Sequence, residues 1–114
     1  MDTNLIDKNV VDMEDALKRI GGNMGLYKKL LDRFLSGDHY DPIAAAINNG
    51  DMEEASRLTH SLKGVSANLS LVKVSSISVE LEQKIHDNLD CSSCLADLKQ
   101  AMTETADMIA EIMK

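Results

Sequence analysis

One short segment holds residue types at a spacing that suits group transfer: Arg57, His60, Lys63 and Gly64. An imidazole is partly neutral near physiological pH, so its ring nitrogen is available there as a nucleophile. On a helix, residues three or four apart share a face, so Arg57 and Lys63 bring cations to either side of His60. Phosphoryl transfer depends mainly on positioning and charge neutralisation. A histidine flanked in this way is therefore suited to carrying a phosphoryl group.

Those residues need a helix to bring them together. From Asp51 to Leu69 the apolar residues Met52, Ala55, Leu58, Leu62, Val65 and Leu69 recur at helical spacing. Projected at about 100° per residue, Ala55, Leu58, Leu62 and Leu69 form the core side and His60 falls opposite, towards water. Gly64 lies four residues on, on the face of His60, and Ala67 comes one turn later. A glycine inside a helix costs about 1 kcal/mol relative to alanine. No turn, cap or core contact requires one here, so Gly64 reads as room for an approaching surface, and Ala67 extends the bare strip. A phosphoryl group on His60 would stand mid-helix, beyond the first turn over which the helix dipole acts. Lys63 is then the nearest source of compensating charge. An exposed helical histidine is also an ordinary solvated surface position, and spacing alone leaves both readings open.

The surrounding elements read as helices almost throughout. Val11 to Ile20 is a short amphipathic helix bearing Met13, Ala16, Leu17 and Ile20, stopped by Gly21 and Gly22. Asn23 caps a second, which carries Leu26, Tyr27, Leu30, Leu31 and Phe34 and ends at Gly37. Asp41-Pro42 reads as an N-cap followed by Pro at the first helical position, opening a short helix, Ile43 to Asn48, that ends at Gly50. Asp51 with Glu54 resembles a capping box at the start of the His60 helix. A tight link near Ser70 leads to a helix on Val74, Ile77, Leu81 and Ile85. After a polar loop, Asp87 to Ser93, a last helix runs on Leu95, Leu98, Met102, Ile109 and Ile112. No segment alternates with period two. The expected fold is all-α: an antiparallel four-helix bundle with two additional short helices, one domain spanning residues 1–114.

Composition narrows the function. The chain is 44% hydrophobic and 27% charged with a formal net charge of -7, and it has no basic run of the kind that nucleic-acid binding needs. No apolar stretch approaches the length of a bilayer span, and the start, MDTNLIDKNV, is not a signal peptide, so a cytoplasmic monomer is expected. The initial Met, close before the first helix, would suit a free-standing protein, but the sequence leaves open a domain of a larger protein. Neither common type of Gly-rich nucleotide loop occurs, and the length is too small for an ATP-binding kinase domain.

The stretch Thr59-His60-Ser61-Leu62-Lys63-Gly64-Val65-Ser66-Ala67-Asn68-Leu69 resembles the A-H-x-L-K-G-x-x-x-N-[IL] signature of histidine-containing phosphotransfer (HPt) domains of bacterial phosphorelays. Asn49-Gly50-Asp51 and Ala55, the segment from Arg19-Ile20-Gly21-Gly22-Asn23 through Leu26-Tyr27 to Leu30-Leu31 and Phe34, and the pair Leu81-Glu82 are similar to other parts of that family. The resemblance implies that His60 accepts a phosphoryl group from an aspartyl phosphate on a receiver domain and passes it to another receiver. It implies that Lys63 steadies the phosphoryl oxygens, that Gly64 leaves room for the receiver, and that Glu82 orients His60 through its other ring nitrogen; Arg57 and Ala67, placed beside them by the helical projection, are expected to meet the receiver too. No cofactor is implied for this chain; Mg²⁺ is expected only in the partner receiver, which belongs to a response regulator or a hybrid sensor histidine kinase. Thr59 departs from the usual Ala, and Ala67 and Ser70 stand where Gly is common.

Other residues carry rival readings. Cys91-Ser92-Ser93-Cys94 is a lone C-x-x-C without a thioredoxin-like context, and with His86 it could frame a zinc site; two incidental loop thiols are the better reading. His86, one turn after Glu82, falls on the solvent side of its helix, and His39 sits in the loop Ser36 to Asp41. Two further alternatives share the fold: the phosphoacceptor domain of a chemotaxis-type histidine kinase, and a helical interaction module that is not phosphorylated.

Overall fold

Short polar side chains fix where three of the helices begin. Asp12 Oδ1 accepts from the Asp15 N–H at 3.1 Å, Asn23 Oδ1 from Leu26 at 3.0 Å and Asp51 Oδ1 from Glu54 at 3.1 Å. Each satisfies one of the donors a helix leaves free at its N-terminus. The computed structural model describes residues 6–114; residues 1–5, half of the stretch read as lacking a signal peptide, lie outside the described residues. The helices are α1 (Met13–Arg19), α2 (Met24–Ser36), α3 (Asp41–Asn48), α4 (Met52–Asn68), α5 (Val72–His86) and α6 (Ser92–Ile112), with no strand among the described residues. None is long and apolar enough to cross a membrane.

Two caps differ from the sequence reading. Asp41 is the first residue of α3 and not its cap; Asp38 Oδ1 accepts the Asp41 N–H at 3.1 Å, and Pro42 sits inside the first turn. Only half of the capping box forms. Asp51 holds the Glu54 N–H, but its own N–H is taken by the Ala46 carbonyl at 2.9 Å, so the Glu54 carboxylate turns to Arg57 instead. Gly50, at φ +75, makes that Ala46 bond possible by closing α3 in the left-handed conformation that residues with a Cβ avoid.

α4 packs on α3 and α5, α5 also on α6, and α2 meets α1 and α6. The core holds Tyr27, Leu31, Ile43, Leu62, Leu71, Val74, Leu81, Leu98, Ile109 and Ile112, all nearly or fully buried. The inner line of α4 is Ala55, Thr59, Leu62, Ser66 and Leu69. Two expected core residues are displaced from it: Val65 is 40% exposed, and on α2 Leu26 is 42% exposed. Thr59 and Ser66 take the inward positions because the α4 line advances by alternating four and three residues, a register that excludes Val65. Buried small hydroxyls recur on the facing helices as Ser78 and Thr105. Ser66 and Ser78 donate to carbonyls one turn back, Leu62 and Val74, at 2.7 Å each, whereas the Thr59 and Thr105 hydroxyls have no partner.

The α4–α5 corner is held from two sides. Ser70 is left-handed at φ 55, a conformation that costs a residue with a Cβ about 1 kcal/mol. It is compensated there: the Ser70 hydroxyl donates to Asp15 Oδ2 at 2.6 Å, and its carbonyl accepts the Asp12 N–H at 2.9 Å. The buried Tyr27 hydroxyl donates to the Leu69 carbonyl at 2.9 Å. Burial holds that phenol well above the usual range, with the Asp12 charge adding to it, so it remains a neutral donor. These bonds fix the angle at which α5 returns along α4.

Candidate functional site

His60 stands on the outer face of α4, its side chain 71% exposed, with Leu62 and Thr59 beneath it in the core. The return of α5 brings Glu82 across to it. The Glu82 carboxylate takes two partners, His60 Nδ1 at 3.1 Å through Oε2 and Lys63 Nζ at 2.8 Å through Oε1. A carboxylate only accepts, so Nδ1 carries the proton and the Nε2 lone pair is left free. Glu82 and Lys63 are half-buried, at 26% and 31% exposure. The Lys63 hydrogen bond is the largest influence holding the Glu82 carboxyl below its ordinary range; partial burial opposes it and the His60 bond assists.

These groups line an open groove of about 790 Å³ between α4 and α5, with Glu53, Ser56 and Arg57 on one wall and Val79, Gln83 and His86 on the other. Arg57 is ion-paired with Glu54 on its own helix, its Nε donating at 3.1 Å. Gly64 is exposed, and a Cβ built on it would meet nothing within 4 Å. Ala67, also exposed, borders a second groove with Ser70, Val72, Ser75 and Ser76. Asn68 is exposed at the end of α4. The structure thus brings His60, Lys63, Glu82 and Arg57 to one groove and leaves Ala67 on its neighbour.

Val79 and Gln83 were not singled out from sequence. Val79 is 53% exposed, and with Val72, 40% exposed, it points outward while Val74, Leu81 and Ile85 turn inward. The signal was present as the outward series Val72, Ser76, Val79, Gln83 and His86, spaced by three and four. His86 lies in the His60 groove, its Nδ1 3.1 Å from Asp87 Oδ1. His39 is elsewhere, stacked on Phe34 at 4.4 Å and bonded to the Phe34 carbonyl.

Cys91 and Cys94 are buried in the core and not loop thiols. Burial pushes both thiols up, Cys94 to about 11, which keeps them protonated and poorly nucleophilic. Among the described residues no cluster of three or more His, Cys, Asp or Glu could hold a metal ion.

A solvent-facing imidazole with one nitrogen tied to a carboxylate, the other free and a lysine alongside can form a bond to an incoming electrophile without rearranging. On an all-helical frame this defines the class: a helical protein with an exposed, oriented histidine at an open groove. The family model of the Hpt domain matches residues 12–108, and the chain belongs to that family. Hpt domains are phosphocarrier modules of histidine phosphotransfer in two-component phosphorelays and interact with receiver domains. No curated protein and no solved structure matches the chain.

Proposed function

We propose that the chain receives a phosphoryl group on His60 from the aspartyl phosphate of one receiver domain and passes it to the aspartate of another. The observation that carries this reading is the state of the His60 ring: highly exposed, with Nδ1 held by Glu82 and Nε2 free. Nε2 is the attacking atom. Glu82 fixes the tautomer and the ring orientation, as hydrogen-bonded partners do for other functional histidines. Lys63 supplies positive charge for the phosphoryl oxygens. Gly64 and Ala67 let the receiver approach, and Arg57 meets it at the edge of the groove. The Mg²⁺ that phosphoryl transfer requires comes with the receiver.

In this reading α2, α4, α5 and α6 are the four helices of an antiparallel bundle, supported by the packing of α4 on α5, α5 on α6 and α2 on α6. The 114 residues act as a single phosphocarrier domain in the cytoplasm. The test is incubation with a phosphorylated receiver and Mg²⁺. Label is expected on the chain as acid-labile phosphohistidine, and none on His60→Gln. Equal labelling of that variant would refute the assignment.

A further inference from the structure

The lysine assigned to the phosphoryl oxygens is already occupied. Lys63 Nζ is held at 2.8 Å by Glu82, the same carboxylate that holds His60 Nδ1 at 3.1 Å. With the ring neutral, the three side chains sum to zero charge; a phosphoryl group on Nε2 brings up to two negative charges to within reach of the Glu82 carboxylate. We propose that Glu82 is a positioning residue that sets the phosphoryl-transfer potential of His60, making the phosphorylated chain a labile donor and not a phosphoryl store. This rests on His60 being the phosphoacceptor.

The transfer step shows how. Nε2 donates its lone pair to phosphorus, the P–O bond to the receiver aspartate breaks, and its electron pair leaves on the aspartyl carboxylate. The ring becomes cationic and still bears the Nδ1 proton. Glu82 holds that proton as a charge-assisted hydrogen bond. In the onward step a carboxylate oxygen of the next receiver's aspartate donates a lone pair to phosphorus, the N–P bond breaks, and imidazole leaves with that bond's electron pair. It leaves readily only while Nδ1 is protonated, because the leaving group is then neutral imidazole and not imidazolate. Glu82 therefore favours transfer in both directions. It opposes the resting phosphorylated state once Nδ1 has lost its proton: the ring is then neutral, the carboxylate faces the bare Nδ1 lone pair, its charge repels the phosphoryl oxygens, and it competes for Lys63.

Glutamine at this position separates the two effects. Its amide oxygen can accept from Nδ1–H, so the reactive tautomer survives. Its amide nitrogen can instead donate to a deprotonated Nδ1, which a carboxylate cannot do. It carries no charge to repel the phosphoryl group or retain Lys63. Removing one charge about 6 Å from another, at an effective dielectric constant of about 40, is worth about tenfold in an equilibrium constant.

The experiment measures two quantities with one receiver in Mg²⁺: the equilibrium distribution of phosphoryl between receiver and chain, and the rate of onward transfer from the purified phosphorylated chain. For Glu82→Gln the equilibrium is expected to move about tenfold towards the phosphorylated chain and onward transfer to slow about tenfold. Lys63→Ala is expected to move the equilibrium the opposite way. In the Lys63→Ala background the Glu82→Gln shift should shrink, because no lysine is released. An equilibrium for Glu82→Gln within twofold of the parent, or displaced towards the receiver, overturns the proposal. A parent chain that takes no label on His60 overturns the phosphoacceptor reading instead, so the two failures are distinguishable.

Discussion

Gly64→Ala should make the protein more stable and a poorer phosphotransfer partner. The stability gain follows from two facts. Gly64 lies within the long helix α4, and a Cβ added there meets nothing within 4 Å. The substitution therefore recovers the helix propensity difference, about 1 kcal/mol, without a clash. In a domain of this size that is roughly a 4 °C rise in Tm. The functional loss follows from position, since the added methyl stands one turn from His60 on the surface proposed to meet the receiver. Misplacement of reacting groups by about 1 Å can cost on the order of a hundredfold in rate. The assays are a denaturation curve and the rate of transfer from a phosphorylated receiver. Phosphorylation of His60 by free phosphoramidate, which needs no docking, serves as the control and should be unchanged. A stabilised variant that transfers at the parent rate would refute the access argument. A variant that gains no stability would refute the claim that the glycine is costly to the fold.

Three other outcomes are expected. Thr59→Val removes a fully buried hydroxyl that has no partner and keeps the side-chain shape, so it should raise stability by about 1 kcal/mol, measured by urea denaturation. Glu82 has its carboxyl below the ordinary range in the folded chain; its contribution is complete at neutral pH and is lost as the pH falls through that lowered value. The stability difference between the parent and Glu82→Gln should therefore be largest near neutrality and shrink in acid below about pH 4.5, and a constant difference from neutral pH down to pH 3 would exclude this linkage. Cys91 and Cys94, buried and protonated, should react with a thiol reagent at neutral pH only on unfolding, and Cys91→Ser/Cys94→Ser should still transfer phosphoryl; fast labelling of the native chain would contradict the burial.

Helix positions were legible in the sequence because capping uses local chemistry. Asn23 and Asp51 announce α2 and α4 by bonds that span only three residues. The cap of α3 is ambiguous in the sequence for the same reason: Asp38, Tyr40 and Asp41 all lie close enough to close that turn, and only the chain path decides among them. The composition of the core was less legible. A hydrophobic stripe chosen by residue type favours Val65 over Thr59 and Ser66, yet packing against α3 and α5 selects by register and by room. Where helices approach closely a small hydroxyl fits, and Ser66 and Ser78 lower the cost by bonding to their own helix. The cysteines followed the same rule, since a C-x-x-C placed in a loop by its polar neighbours turned inward at the start of α6.

The site divides along the same line. His60, Lys63 and Gly64 share one helix, so their common face follows from helical geometry alone. Glu82 lies 22 residues from His60, and no spacing rule could pair them. Their meeting depends on the angle of the α4–α5 corner, which the left-handed Ser70, its bond to Asp15 and the Tyr27 bond to Leu69 hold in place. The charge of the site is thus governed by residues remote from it in sequence. A change at Ser70 or Tyr27 alters no group that lines the His60 groove, yet it acts on the corner that brings the Glu82 carboxylate to Nδ1 and Lys63. The chemistry of His60 is as much a property of that corner as of α4.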